Sequence, residues 1–417
     1  MTPEIKQRIE QIRRGEVPER YVKTVLGLAP ANWKQYTFGD IYTERKEPGD
    51  ENLPLLMVSI HSGVSDGEVD AAELPKQVKR IEDKSQYKKA VSGDLVFNMM
   101  RAWQGAIGTV RTTGMVSPAY IVAEPNDKVY PLFMDYYSRT PQMINQIDRQ
   151  SYGVTDFRKR LYWDSFAPIS CTLPPIEEQQ KIATILTTQD RVIELKEKRL
   201  AEKQRQKKYL MQQLLTGKKR LPGFSGEWKK AKLKNILYER KTYSPKGLEY
   251  PHVTLSAEGI FPKSERYDRD HLVRDEDKEY KITHKGDICY NPANLKFGAI
   301  CENTFGDAIF SPIYVTFEVE ENICKEYIAN YLMRWDFINA VRKYEEGTVY
   351  ERMAVKPEDF LKFEIFLPQI EEQTAIAEVL SAADREIELL QQDIEQEKQK
   401  KKALMQLLLT GIVRVKT

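Results

Sequence analysis

Two long stretches of the chain carry apolar residues at every seventh position. The first series is Leu186, Ile193, Leu200, Lys207 and Leu214, and the second is Leu380, Ile387, Ile394, Lys401 and Leu408. A repeat of seven predicts a narrow apolar seam along one side of a helix, as in helices that pair in a coiled coil. A lysine interrupts both series at the same step, and such a polar break fixes register at some cost in stability. The two stretches are therefore predicted to be long helices that lie against each other.

The two stretches belong to an internal repeat. Residues 173–217 align without a gap with residues 367–411, 367 − 173 = 194 positions later, and about half of the aligned residues are identical. Both copies share L-P-x-I-E-E-Q at the start and L-M-Q-x-L-L-T-G at the end. A proline before and a glycine after a periodic stretch are typical of helix ends. Two surface helices that pack separately on two domains are the alternative.

The segments between the long helices also resemble each other, although less closely. The paired segments are 32–45 with 227–240, 91–108 with 284–301, 115–122 with 309–316, and 153–160 with 347–354. Short β-rich runs such as "GDLVFN" and "IYVTFEVE" predict strands, and residues 131–147 and 324–341 each predict the helix that follows them. The sequence therefore predicts an α+β fold with two mixed globular halves, each followed by a long helix.

Composition places few limits on function. The chain has 417 residues and a formal net charge of +2, whereas a dedicated nucleic-acid-binding domain is often more basic. Any nucleic-acid surface must therefore be local. The cysteines form no C-x-x-C pair and have no histidine at zinc-ligand spacing, which predicts free thiols in a reducing cytoplasm. The N-terminal residues lack the apolar core of an export signal, and no apolar run approaches the ~18 residues of a membrane helix. The expectation is a cytoplasmic protein without a membrane segment.

Catalytic motifs are degraded or missing in this sequence. The tetrapeptide "NPAN" at 291–294 lacks the second proline and the aromatic residue of the N-P-P-[YF] motif of amino-methyltransferases, and no glycine-rich loop for S-adenosylmethionine precedes it. The E-x-K triplets at 82–84 and 276–278 are expected by chance in so charged a chain. The four histidines have no counterparts across the repeat. We therefore expect no catalytic residues and no metal site, which disfavours a single-chain methyltransferase or nuclease.

The duplicated loops "NMMRAWQG" and "NPANLKFG" carry side chains of the types that read bases. Arginine pairs with guanine, and asparagine or glutamine with adenine, in the major groove. The candidates are Asn98, Arg101, Trp103 and Gln104 in the first loop, and Asn291, Asn294, Lys296 and Phe297 in the second. The segments 149–160 and 342–353 provide candidate phosphate contacts, namely Arg158, Lys159, Arg160, Arg342, Lys343 and Arg352. Polar surface loops without a ligand are the alternative.

Taken together, the paired helices and the G-D…N…G-A-I and S-P-x-Y repeats resemble the specificity (S) subunit of type I restriction–modification enzymes. The resemblance covers essentially the whole chain and implies two target recognition domains separated by two long antiparallel helices. It implies the boundaries 1–172 for an N-terminal helix and the first recognition domain, 173–217 for the central helical spacer, 218–366 for the second recognition domain, and 367–417 for the C-terminal helical spacer.

The resemblance also implies a function and partners. Each recognition domain would read one half of a bipartite, asymmetric target in double-stranded DNA, and the helices would set the gap and dock the methyltransferase (M) subunits. The chain itself would be non-catalytic and bind no cofactor. Two M subunits would bring S-adenosylmethionine, and two restriction (R) subunits would use ATP and Mg. A coiled-coil adaptor with two protein-binding heads and no DNA role is the alternative function.

Overall fold

A computed structural model describes residues 3–50, 52–65, 86–155, 158–245, 249–263, 279–344 and 354–415. The helices are α1 (Pro3–Arg13), α2 (Phe38–Ile41), α3 (Pro131–Tyr137), α4 (Pro141–Arg149), α5 (Trp163–Phe166), α6 (Ile176–Leu214), α7 (Lys325–Leu332), α8 (Trp335–Val341), α9 (Pro357–Phe360) and α10 (Ile370–Leu408). Short 3-10 segments lie at Ala102–Gln104, Leu233–Asn235, Leu295–Phe297 and Arg342–Tyr344.

The strands are short, and the ladders between them in the described residues are antiparallel, while isolated parallel bridges join Leu55 to Met115 and His252 to Ile309. In the first half they are β1 (Tyr21–Thr24), β2 (Gly27–Pro30), β3 (Lys34–Thr37), β4 (Tyr42–Glu44), β5 (Val58–Ser59), β6 (Gly63–Val64), β7 (Lys88–Ala90), β8 (Leu95–Asn98), β9 (Ile107–Thr109), β10 (Gly114–Val116), β11 (Tyr120–Pro125) and β12 (Ser170–Leu173). In the second half they are β13 (Lys229–Lys232), β14 (Leu237–Glu239), β15 (Tyr243–Pro245), β16 (Val253–Ser256), β17 (Gly259–Pro262), β18 (Glu279–Thr283), β19 (Ile288–Tyr290), β20 (Ile300–Glu302), β21 (Ala308–Phe310), β22 (Val315–Val319) and β23 (Glu364–Leu367).

The chain divides into two compact units, and each unit contains part of both long helices. Unit 1 comprises Met1–Lys196 and Asp393–Thr417, and unit 2 comprises Glu197–Gln392. Unit 1 therefore contains the first part of α6 with the last part of α10, and unit 2 contains the complementary parts. The boundaries fall inside the long helices rather than at their ends.

The two units repeat the same sheet topology. A four-stranded sheet of order β4-β11-β8-β9 in unit 1 corresponds to β14-β22-β19-β20 in unit 2. The pair β12-β3 corresponds to β13-β23, and the hairpin β5-β6 corresponds to β16-β17. The β7-β10 pair of unit 1 has its counterpart in β18-β21, to which β15 adds a third strand in unit 2. The predicted α+β class and the duplication are confirmed.

The heptad positions form a buried seam within each unit. In unit 1, Leu186 is buried in the main core together with Leu408, the last residue of α10, and Leu409, which follows it. Unit 2 repeats this arrangement with Leu380 and Leu214. Packing of the first part of one helix against the last part of the other requires that the two run antiparallel.

The lysines that interrupt the heptads each meet an aspartate of the other helix. Lys401 Nζ lies 2.5 Å from Asp190 in unit 1, and Lys207 Nζ lies 2.5 Å from Asp384 in unit 2. Both members of the first pair are the counterparts, at an offset of 194, of the members of the second. The polar break in each heptad series therefore pairs the helices in one register, which is the role that a polar residue has in coiled-coil seams.

A buried glutamate near the start of each long helix is neutralised by an arginine that follows the end of the other helix. Arg414 donates two hydrogen bonds of 2.6 Å to the Glu178 carboxylate, which also accepts one of 3.3 Å from Trp33 Nε1. Glu178 itself is fully buried. We name these three residues the unit 1 Glu–Arg–Trp cluster.

Unit 2 contains the same cluster, formed by Glu372, Arg220 and Trp228. Arg220 donates two hydrogen bonds of 2.6 Å to Glu372, and Trp228 Nε1 donates one of 3.3 Å. Each carboxylate raises the pKa of the arginine bonded to it. Each helix is thereby joined at both ends to the unit in which that end lies.

One prediction about secondary structure is wrong in its detail. Residues 131–147 and 324–341 each form two helices rather than one. In the first segment α3 ends before Pro141, which lacks the amide hydrogen that a continuous helix needs there and begins α4 instead. In the second segment Arg334 has an extended backbone (φ −65°, ψ 134°) that separates α7 from α8. Its guanidinium donates to the Leu215 carbonyl at 3.1 Å.

Candidate nucleic-acid interface

The loops after β8 and β19 have the same backbone hydrogen-bond pattern. In each loop the amide of the fourth residue, Arg101 or Asn294, donates to the carbonyl of the asparagine three positions earlier, at 3.0 and 3.1 Å. Each loop closes on a glycine in the left-handed region, Gly105 with φ +102° and Gly298 with φ +83°. That conformation is strained for any residue with a Cβ atom. The sequence similarity of the two loops therefore reflects one shared backbone structure.

The first asparagine of each loop holds the turn. Asn98 is 8% exposed and its Oδ1 accepts from the Met100 amide at 2.9 Å, while Asn291 is 5% exposed and accepts from the Ala293 amide at 3.1 Å. A side-chain oxygen that accepts from an amide two positions later forms an Asx turn. The structure thus gives both asparagines a role in shaping the loop, and their predicted contact with bases stays a prediction.

The first loop exposes Arg101 and Gln104, and Trp103, which lies between them in the chain, is held in place by a neighbouring lysine. Trp103 is partly buried, and Lys159 Nζ lies 5.0 Å from the centre of its ring. The same Nζ forms an ion pair of 2.7 Å with Asp148. Lys159 therefore positions Trp103, and its charge is already balanced by a neighbour. Arg101 and Gln104 are the side chains of this loop that project into solvent with hydrogen-bonding groups.

The second loop exposes a different set of side chains on the same backbone. Asn294 stands at the position of Arg101, and Phe297 stands at the position of Gln104 with 67% of its surface exposed. Lys296 Nζ lies 5.5 Å from the centre of the Phe297 ring. The two loops therefore present unlike chemistry: a guanidinium and a carboxamide in unit 1, and a carboxamide and an aromatic ring in unit 2.

The candidate phosphate contacts of unit 1 lie on a chain segment that returns toward the loop. Tyr152 and Arg160 exchange two backbone hydrogen bonds, of 2.9 and 2.8 Å. Arg158 is exposed and Arg160 is partly buried. The Leu161 amide donates to the Met99 carbonyl at 2.9 Å, which brings this segment beside the loop that contains Arg101.

In unit 2, Arg342 and Lys343 follow α8 directly, and both are exposed. Helix α8 packs against the Leu295–Phe297 segment, so the basic pair lies at the end of a helix that contacts the loop after β19. Lys343 Nζ lies 5.1 Å from the ring of Tyr344 and 5.2 Å from that of Phe363. Arg352 lies outside the described residues.

Sequence reasoning missed a turn and a hairpin that complete the surface in unit 2. The S-P-x-Y turn at 311–314 leaves Ile313 61% exposed. Its Tyr314 hydroxyl lies 3.2 Å from Thr254 Oγ1 on the β16-β17 hairpin. Tyr314, Thr254, Asn294 and Phe297 are among the residues that line a groove of about 440 Å³. The sequence signal for this turn is the repeated S-P-x-Y motif, although the motif alone does not indicate that the turn lies near the loop.

A buried ion pair supports the four-stranded sheet in each unit. Arg45 donates to Asp94 at 2.7 Å, and Arg240 donates to Asp287 at 2.9 Å. Burial raises the pKa of the Asp94 carboxyl even though Arg45 opposes that effect. Both aspartates directly precede the strands that lead into the two loops, so each ion pair anchors the start of its strand, at the end away from the loop.

The part of the chain that the structure describes contains neither a metal-binding cluster nor a membrane-spanning helix. Within those ranges no group of three or more His, Cys, Asp or Glu residues is arranged to hold a metal ion. Over the same residues, no helix combines the length and the apolar character needed to span a membrane.

Comparison with known proteins gives a consistent result. Residues 72–204 and 226–399 match the family described as "Type I restriction modification DNA specificity domain". The type I restriction enzyme MjaVIII specificity subunit of Methanocaldococcus jannaschii is 24% identical, over 95% of this chain and 97% of the relative.

Two solved structures share the fold. The HsdS subunit from Thermoanaerobacter tengcongensis has a TM-score of 0.51 at 17% identity, over 92% of this chain and 98% of that one. The type I restriction–modification system S subunit from M. genitalium has a TM-score of 0.55 at 10% identity, over 93% of this chain and 97% of that one.

Proposed function

Because the chain belongs to the family of type I restriction modification DNA specificity domains, we propose how its two units divide the recognition of DNA. The chain is a DNA-binding specificity subunit of a type I restriction–modification system, and each unit reads one half of a bipartite target. This function replaces the alternative of an adaptor with protein-binding heads, since the matched relatives are specificity subunits along nearly their whole length.

One observation supports the proposal that the two units read different half-sites. The loops after β8 and β19, which we call the reading loops, have the same internal hydrogen bonds. They expose Arg101 and Gln104 in unit 1 and Asn294 and Phe297 in unit 2. Arginine favours guanine and asparagine favours adenine in the major groove. The two half-sites therefore differ in sequence, and the complete target is asymmetric. The exposed Arg158, Arg342 and Lys343 beside the loops supply phosphate contacts that set orientation.

The chain works with catalytic partners. Two methyltransferase subunits bind S-adenosylmethionine and two restriction subunits use ATP and Mg, while this chain supplies no catalytic group and binds no cofactor. The long helices fix the gap between the half-sites and dock the methyltransferase subunits. The complex acts in the cytoplasm, where its DNA is. The support for these assignments is the resemblance to specificity subunits and the relatives' names.

The test is to map methylation in DNA from cells that express this chain with its methyltransferase partner. A single bipartite asymmetric motif is expected. Arg101→Ala should relax one base position in one half-site by about 1–3 kcal/mol and leave the other half-site unchanged. Asn294→Ala should do the same in the opposite half-site.

Arg158→Ala is the matched control because Arg158 is exposed in the same unit but is assigned to phosphate. It should weaken all targets equally and reduce the salt dependence of binding by about one unit of slope. If Arg101→Ala also weakens all sequences equally, Arg101 contacts phosphate and the assignment is wrong. A palindromic methylation motif would refute the division between unlike units.

A further inference from the structure

Two strongly exposed apolar side chains lie at one end of the four-stranded sheet of unit 2, β14-β22-β19-β20. Phe297 is 67% exposed and Ile313 is 61% exposed. The ladder between β19 and β22 ends with Tyr290 opposite Val315. The loop that contains Phe297 and the turn that contains Ile313 therefore leave the sheet at the same end. We call Phe297 and Ile313 the apolar ridge.

The backbone holds both members of the ridge in place. The Phe297 amide donates to the Asn294 carbonyl at 2.9 Å, and the Tyr314 amide closes the turn around Ile313 by donating to the Ser311 carbonyl at 3.0 Å. Tyr314 is itself held in place, because its ring stacks on the ring of buried Phe310 with the centroids 4.9 Å apart. The exposure of the ridge is thus a property of two ordered turns.

Unit 1 has no such ridge at the corresponding positions. Gln104 stands where unit 2 has Phe297, and Ala119 stands where it has Ile313. The hydrogen bonds within the two loops match, although the Met99 amide donates to the Ala119 carbonyl at 3.2 Å in unit 1 and Pro292, its counterpart, has no amide hydrogen. A feature of the shared fold would be present in both units, whereas a feature that distinguishes one half-site from the other would be present in one.

The chemistry around the ridge favours DNA as its occupant. Asn294, which is suited to adenine, lines the same groove as Phe297, and Lys296 places a positive charge 5.5 Å from the Phe297 ring. Among the base edges that face the major groove, the apolar group is the C5-methyl of thymine. We propose that the apolar ridge contacts thymine methyl groups in the second half-site, an inference that rests on the proposed function.

The experiment compares thymine with deoxyuridine, which lacks only that methyl group. Binding of the complex of this chain with its methyltransferase partner is measured on duplexes in which each second-half thymine is replaced in turn. Burial of one methyl contributes about 0.8 kcal/mol, so uracil should weaken binding about fourfold at one or two positions. In Phe297→Gln, which introduces the unit 1 residue, or in Ile313→Ala, the corresponding difference should disappear. Phe297→Leu keeps an apolar side chain and should retain the difference in binding between thymine and uracil duplexes.

Several outcomes would overturn the inference. These are a second half-site without A·T pairs, no uracil effect at any second-half thymine, or a thymine–uracil difference that persists undiminished in both ridge variants. An equal loss on thymine and uracil duplexes in Phe297→Gln would indicate a wedge between bases instead. Failure of the ridge variants to assemble with the methyltransferase, seen by size-exclusion chromatography, would indicate a protein contact. Absence of sequence-specific binding by the unmodified complex would refute the proposed function itself and is scored separately.

Discussion

Removal of Arg414 should strongly destabilise unit 1, because it leaves a carboxylate buried without its cation. The Glu178 side chain is 1% exposed and accepts two 2.6 Å hydrogen bonds from Arg414. Hydrogen bonds to a charged group contribute about 1.5–3 kcal/mol each, and breaking a buried ion pair costs about 3–5 kcal/mol. Since one third of the Arg414 side chain is exposed, water can enter when it is truncated. We therefore expect the lower end of that range, about 3 kcal/mol, for Arg414→Ala.

Scanning calorimetry of the full chain should detect this loss. For a unit of this size, 1 kcal/mol changes Tm by about 2–4 °C, so Arg414→Ala should lower the transition of unit 1 by about 6–12 °C. The double variant Glu178→Gln with Arg414→Ala should recover at least about 1 kcal/mol, since no charge is then buried alone. Arg13→Ala, which removes a largely exposed arginine, is the control and should change Tm by less than about 2 °C.

The reasoning fails if Arg414→Ala behaves like Arg13→Ala, or if the double variant is no more stable than Arg414→Ala. The duplication offers an independent repetition. Arg220→Ala removes the equivalent cation in unit 2, where Glu372 is also buried. It should cause a loss of similar size in the transition of unit 2.

Three further predictions follow from the same structure. The purified chain should incorporate no label from S-adenosylmethionine into DNA, because its "NPAN" tetrapeptide lacks the methyltransferase pattern. Hydrogen bonds from Gln189 and from two lysines lower the pKa of Glu397 from 4.5 to about 2. The stabilising effect of the Glu397 carboxylate should therefore be complete above pH 4.5 and decline as the pH falls toward 2. Circular dichroism at a fixed urea concentration would measure this decline. A 1–217 fragment should dimerise through its exposed heptad seam, and a 1–222 fragment should form the more stable dimer, because Arg220 of one copy can replace the missing cation on the other.

Each of these has its own check. The same assay with the methyltransferase partner added provides the positive control for label incorporation, and label above background without the partner would refute the first prediction. Glu397→Gln should flatten the pH dependence of unit 1 stability; an unchanged profile would mean that another group is responsible. Sedimentation of both fragments tests the last prediction. A soluble monomer at all concentrations would refute the shared-seam argument, and equal dimer stabilities would refute the role of Arg220.

The sequence predicted the parts of this fold that depend on periodicity. The repeat, with its flanking proline and glycine, located α6 and α10 to within a few residues of their observed ends, and the heptad spacing predicted the seam and its two lysines. Periodicity has no information about partners that are distant in sequence. The pair of Glu178 with Arg414 spans 236 residues, and neither residue lies in a pattern that identifies the other.

For the candidate site, the sequence identified the types of residue in the loops but not which of them are buried and which are exposed. The loops were located because their sequences repeat, but the type Asn did not distinguish Asn98, which is buried in the turn, from Asn294, which is exposed. Burial depends on which way the backbone turns, and that is fixed by hydrogen bonds within the loop. Ile313 was missed because an exposed isoleucine looks like a core residue in sequence.

The division of the long helices between the units has a consequence for the order in which the protein is made. Unit 2 is one continuous segment, residues 197–392, whereas the core of unit 1 includes Leu408 and Leu409. Domains generally fold as units during synthesis, starting from the N-terminus. Here that order cannot hold for completion of the units, because every residue of unit 2 is synthesised before the last segment of unit 1, residues 393–417. In a nascent chain the unit 1 part of the α6 seam, up to residue 196, therefore stays uncovered until translation has passed residue 409. This interval is when a chaperone or a second nascent chain has access to that seam.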